Sequence, residues 1–167
     1  MTIQFTETLI YEGKELGLLS TPLCVYFGLI GHSAEDFFES TNTACHRGYV
    51  AEWLIENNRL YLIVINGELQ NGMSAKLNDI FSNCSNRVFA HWYSDQICCP
   101  RGKLIGELNQ GYTSIFEEDL LIDIKKGMVT STSVRKNSMP IDDDELDGNE
   151  KPSRSLLSII RRGLYDW

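Results

Sequence analysis

The stretch from Arg47 to Ile65, RGYVAEWLIENNRLYLIVI, constrains the fold more than any other part of the chain. It reads as a β-hairpin turning at Asn57-Asn58, with strands over about Arg47–Glu56 and Arg59–Ile65. A two-residue loop sets Glu56 opposite Arg59, Ile55 opposite Leu60, Trp53 opposite Leu62 and Ala51 opposite Val64. Side chains alternate along a strand. One face then carries Tyr49, Ala51, Trp53, Ile55, Leu60, Leu62 and Val64 without a charge. The other carries Val50, Glu52, Leu54, Glu56, Arg59, Tyr61, Ile63 and Ile65, and is also mostly apolar. A one-residue slip would bring Glu52 and Glu56 into the uncharged face, so the register is strongly specified. Glu56 and Arg59 pair across the turn, worth roughly 0.2–1 kcal/mol. Asn-Asn tolerates the positive φ of a type I′ turn. Two largely apolar faces predict a central, covered position.

Further hairpins follow the same logic. Residues 3–11 read as a strand, Glu12-Gly13-Lys14 as its turn, and Leu16–Leu19 as the return. Thr21-Pro22 breaks the pattern, and Leu23–Ile30 is apolar and β-rich. Ser33 is placed to cap a short helix over Ala34–Phe38. Ala75–Phe81 is a second short helix candidate, and Arg87–Tyr93 a strand. Ser94-Asp95 turns the chain into Gln96–Cys99, and Pro100-Arg101-Gly102-Lys103 ends that strand. Leu104–Leu108 fits either a strand or a short helix. Phe116–Ile124 alternates as a strand, Lys125-Lys126-Gly127 forms a three-residue loop, and Met128–Val134 returns. The expectation is an α+β fold with a predominantly antiparallel sheet built from hairpins, short helices and a C-terminal helix.

At 167 residues the chain fits one domain. The β-rich body is expected over 1–136, an acidic linker or arm over 137–152, and a helix over 153–167. Ser153 caps that helix and Gly163 suits its end. Leu156, Leu157, Ile160, Leu164 and Trp167 share helical spacing, for docking on the body or on a partner or second copy.

Charge and cysteine content bound the function. The net charge of −8 opposes nucleic-acid and anionic-membrane binding and suits a basic protein partner, although acidity also serves plain solubility. No apolar run approaches the roughly 20 residues of a membrane span. The opening MTIQFTETLIYEG lacks a basic n-region and a long apolar h-region, so a cytoplasmic location is expected. The five cysteines, Cys24, Cys45, Cys84, Cys98 and Cys99, are expected as free thiols.

Catalytic signatures are missing. Cys98 and Cys99 are adjacent and point to opposite faces of a strand, unlike a metal-clamping CxxC pair. His32, His46 and His91 are far apart, and no phosphate-binding glycine motif occurs. No metal, cofactor or catalytic residue is expected. His91, beside Trp92, reads as a satisfied sheet histidine. Tyr93 and Tyr112, near turns, are candidate aromatic anchors.

Three segments together resemble a known group: ACHRGYVAEWLIENNRLYLIVI, VFAHWYSDQICCPRGKL and GYTSIFEEDLLIDIKKGMV. They are similar to a group of small, cytoplasmic-looking bacterial proteins that carry no assigned activity. The resemblance spans roughly residues 41–130. In that group a Trp usually follows the Cys, where this chain has His46. It implies no catalytic residues. A looser likeness of type links small acidic bacterial proteins without catalytic motifs to immunity proteins. Those bind and block the toxins, often basic nucleases, of contact-dependent or other interbacterial systems.

The function expected on these grounds is neutralisation of a cognate toxin by blocking its active site. Partner contacts are expected from Tyr93, Tyr112, Glu117, Glu118, Asp119, Asp142, Asp143, Asp144 and Glu145. The alternatives are a small-ligand binder or enzyme with a pocket near His91, Trp92, Tyr93 and Cys98, and a protein that self-associates through 153–167.

Overall fold

The computed structural model describes residues 5–40, 42–108 and 113–138. Eight strands, two short α-helices and one 3₁₀ turn follow in the order β1 (Glu7–Tyr11), β2 (Lys14–Leu18), α1 (Pro22–Leu29), the 3₁₀ turn Ala34–Asp36, β3 (Tyr49–Glu56), β4 (Arg59–Gly67), α2 (Leu77–Ile80), β5 (Val88–Phe89), β6 (Gln96–Leu108), β7 (Thr113–Lys125) and β8 (Met128–Lys136). The fold is α+β with strands dominant. The strands run β2-β1-β3-β4-β8-β7-β6 across one sheet, and β5 adds to β4. The sheet is mixed, because β1 lies parallel to β3 while the other pairs are antiparallel. Between β1 and β3 the chain passes through β2 and α1, a crossover that brings β3 back in the direction of β1. The two end strands of the sheet meet: Leu19 N, just past β2, donates to Cys98 O of β6 at 3.1 Å. Ser20 Oγ donates to Gln96 O at 3.3 Å beside it. No helix among the described residues is long and apolar enough to cross a membrane.

The β3–β4 hairpin forms at the expected turn, with Asn57 and Asn58 at φ 51° and 58°. Glu56 faces Arg59 and Trp53 faces Leu62 as expected, but Ala51 faces Ile65 and not Val64. A bulge between Glu52 and Trp53 puts one extra residue, Ile63, on β4. The slip replaces Val64 with Ile65 in the core, beside Tyr49, Ala51, Trp53, Ile55, Leu60 and Leu62. It also seats Gly67 against Gly48 O, where a Cβ would come within 2.6 Å. Arg47 lies before the strand, in the loop leading to it.

Several other expectations are corrected. Leu23–Ile30 is not extended but helical, since Thr21-Pro22 starts α1 with proline in its first turn. A continuous apolar run carries no periodicity that separates strand from helix. Arg87–Tyr93 is strand only at Val88–Phe89. The chain then turns, with Tyr93 N donating to Ala90 O at 3.0 Å, so His91 sits in a turn and not in a sheet. Gln96 onward pairs with β7 and not with the preceding strand. Pro100–Lys103 does not end β6, because irregular pairing between Arg101 and Gly106 carries the strand on to Leu108. Lys125 pairs with Met128, so the β7–β8 loop has two residues, Lys126 and Gly127, both at positive φ. Acidic positions 142–145 and the helix expected over 153–167 lie outside the described residues.

The β7–β8 turn is wedged against the body. Leu60 N donates to Gly127 O at 2.9 Å and Gly127 N to Tyr93 O at 2.8 Å. A Cβ on Gly127 would lie 2.7 Å from Ala90 O, whereas one on Gly13 would meet nothing within 4 Å. Both residues have positive φ. Gly13→Ala should therefore cost about 1–2 kcal/mol from backbone strain. Gly127→Ala should cost at least about 1 kcal/mol more through overpacking. Urea midpoints of the two variants check the order.

Candidate functional site

The alternation that buries Leu9 on β1 buries Glu7 two residues earlier. Glu7 is only 1% exposed. β3, parallel to β1, brings Trp53 opposite Leu9, and the Trp53 indole Nε1 donates to Glu7 Oε2 at 2.6 Å. The loop before β3 adds Arg47, with Nε 3.4 Å from Glu7 Oε1. Arg47 Nη2 donates to Phe5 O at 2.8 Å, and its guanidinium lies 5.4 Å from the Tyr49 ring centre. The Tyr49 hydroxyl shares a 3.1 Å hydrogen bond with Cys24 Sγ of α1. Cys45 Sγ donates to Tyr49 O at 3.1 Å. Glu7, Trp53 and Tyr49, all buried, thus form one polar cluster with the partly buried Arg47 and Cys24 between β1, β3 and α1.

Burial dominates its electrostatics. Desolvation pushes the Glu7 carboxyl up to about 7, against the lowering effects of Arg47 and the Trp53 hydrogen bond. The Tyr49 phenol is held well above its ordinary range by burial and the nearby carboxylate. Burial likewise raises Cys24, and Cys99 is pushed up to about 12. Thiols so placed are poor nucleophiles at neutral pH. All five cysteines are free thiols. Among the described residues, no three His, Cys, Asp or Glu side chains group as a metal site.

The expected contact residues fall in different settings. Tyr93 is 3% exposed and packs in the core, with its hydroxyl donating to Gln96 O at 3.3 Å. The turn at Ala90 carries it inward, which corrects its expected surface exposure. Trp92 stacks on Phe81 and donates its indole N–H to Pro22 O at 2.9 Å, while His91 is exposed. Glu117 Oε2 accepts Lys103 N at 3.0 Å, and Glu118 accepts Arg101 Nε at 3.1 Å. Asp119 is buried, taking Arg135 Nη2 at 2.6 Å and Asn137 Nδ2 at 3.0 Å. These three acids tie β7 to β6, to β8 and to Asn137. Tyr112 and Asp142, Asp143, Asp144 and Glu145 lie outside the described residues.

Two features escaped the sequence reading. Glu7 shares a face with apolar neighbours, and a buried Trp53 needs a partner for its N–H. Together these were the signal for the cluster. The second feature is on α1. Leu23 and Phe27 face inward, leaving Val25 41%, Leu29 67% and Ile30 44% exposed. Its strand-like composition hid that face. No family model, no curated protein and no solved structure matches the chain.

The Glu7 carboxyl links folding to pH. Its folded pKa lies above its ordinary value of 4.5. Its contribution is therefore full below pH 4.5, is lost as pH rises to about 7, and is flat above that. The loss is on the order of 3 kcal/mol. Glu7→Gln should abolish this component, making the variant the more stable protein above neutrality. Chemical denaturation across that pH range measures it.

Proposed function

We propose that this chain is a cytoplasmic immunity protein that binds and neutralises a basic bacterial toxin, a nuclease by class, by covering its active site. The observation that carries the reading is the outer face of α1. A helix without a charged residue from Pro22 to Leu29 normally has its whole surface covered. Here Val25 and Leu29, one turn apart, are exposed, with Ile30 beside the helix end. The acids Glu35, Asp36 and Glu39 follow within ten residues of Ile30, and all are exposed. An apolar patch followed closely in sequence by exposed acids suits a partner that is both apolar and basic, and the net charge of −8 favours its approach. Five free thiols agree with a reducing compartment.

In this reading Glu117, Glu118 and Asp119 shape the β6–β8 sheet, and Glu117 is the most accessible of them. Positions 142–145 and Tyr112 remain proposed contacts by their chemistry. The purified chain, mixed with a basic nuclease toxin encoded beside it, should form a tight complex that weakens with salt. Leu29→Glu should weaken it at least about tenfold while leaving the urea midpoint nearly unchanged. Isothermal titration calorimetry at two salt concentrations measures both effects. Absence of a complex at low salt overturns the proposal.

A further inference from the structure

The hydrogen-bond chemistry around Glu7 allows two arrangements that differ by one proton. The Trp53 indole N–H only donates, so Glu7 Oε2 accepts from it at 2.6 Å. The carbonyl-type oxygen of a neutral acid is the better acceptor, which leaves the proton on Oε1. Oε1 faces Arg47 Nε at 3.4 Å, and a guanidinium also only donates. Two donors then oppose one another. Consistent with this, Glu7 Oε1 and Arg47 Nε are both buried without a hydrogen-bond partner among the described residues. Loss of the proton turns Oε1 into an acceptor, and a charge-assisted bond to Nε becomes available.

Arg47 is well placed to transmit that change. Its Nη2 holds Phe5 O, and Phe5 N donates to Ala44 O at 2.8 Å. The guanidinium rests on Tyr49, which is bonded to Cys24 of α1. Within the loop, Cys45 N donates to Asn42 O and Gly48 N to Cys45 O.

We propose that Glu7 and Arg47 form a protonation-controlled latch. The ionised carboxylate draws Arg47 Nε onto Oε1 and adds a further tie between β1 and the loop 44–48; in the neutral acid that tie is lost and only the Phe5 contacts hold the loop. The groups facing Glu7 are Arg47 from that loop, Trp53 and Tyr49 from β3, and Cys24 from α1. Tyr49 and Cys24 stay neutral near pH 7, because burial and the carboxylate both raise them, and a guanidinium is a permanent cation in proteins. Glu7 alone among these changes charge there.

The latch has a signature that general loosening lacks. Ionisation lowers global stability, because the cost of burying a charge outweighs the new hydrogen bond, yet it tightens the loop. Two readouts test it from about pH 5 to about pH 9. The first is the Trp53 indole N–H resonance, identified by removing the other two indoles with Trp92→Phe and Trp167→Phe. The second is amide-exchange protection at Cys45 and Gly48, corrected for the intrinsic rate. The resonance should shift with a midpoint near pH 7. Protection should rise at least about threefold over the same step. Glu7→Gln, isosteric with the neutral acid, should make both readouts flat. Arg47→Met keeps an apolar stem; it should move the indole midpoint upward and abolish the protection change. A static indole resonance, a titration that persists in Glu7→Gln, or protection that stays level or falls as wild-type Glu7 ionises overturns the latch.

Discussion

The fold depends on giving the Trp53 indole N–H a partner inside an apolar core. Trp53 is fully buried at the centre of β3, and its N–H would cost about 1–3 kcal/mol if left unbonded. β1 supplies the acceptor, Glu7, because it runs parallel to β3 with Leu9 opposite Trp53. The crossover through β2 and α1 is therefore coupled to the chemistry of one side chain. Burying the carboxylate brings its own penalty, and Arg47 offsets only part of it. The pair is a poor source of stability and a good source of sensitivity, as buried charges commonly are.

A second constraint holds the two halves of the sheet together. β4 and β8 share only Arg59 opposite Met128, so their joint relies on the turn at Lys126-Gly127 and on Val129 N donating to Asn58 O at 2.9 Å. That turn is received by backbone atoms of Leu60 and Tyr93 and leaves no room for a Cβ. Tyr93 thus serves the architecture twice, with its ring in the core and its carbonyl on the turn. The short β5 and the inward bend at Ala90 follow from that use. Farther along, β8 is exposed at most positions on both faces, and Asp119 with Arg135 supplies the polar tie there.

Function is best sought where packing leaves something uncovered. The acids of β7 attracted attention as a run of charge, but each is engaged by a neighbour. α1 shows the opposite behaviour. It is apolar on every side, yet its aromatic cover, from Phe37, Phe38, Tyr49, Phe81 and Trp92, gathers around Phe27 and Tyr26. Its outer face is the more informative surface for a binding role. The Cys24–Tyr49 hydrogen bond joins that helix to the Glu7 cluster.

Local patterning determined a good deal. Alternation and turn chemistry were enough for the β3–β4 hairpin, its Asn57-Asn58 turn, the Glu12-Gly13 turn, the strands β7 and β8 and the strand-dominated α+β class. These depend on neighbours in sequence, where period two and positive-φ residues carry the signal. Tertiary structure decided what depends on distant partners. Nothing local marked the Ile63 bulge that exchanged Val64 for Ile65, because either residue is apolar. Over Leu23–Ile30 the apolar run had no period to tell helix from strand, and the Thr21-Pro22 start that suits a helix also reads as a strand breaker. The parallel β1–β3 pairing, the inward turn of Tyr93 and the use of Asp119 in a buried ion pair were likewise set by long-range packing. The Glu7–Arg47–Trp53 cluster belongs with them. Glu7 lies about forty residues or more from Arg47 and Trp53, and a carboxylate is driven to such a place only when the fold brings a donor and a cation to meet it.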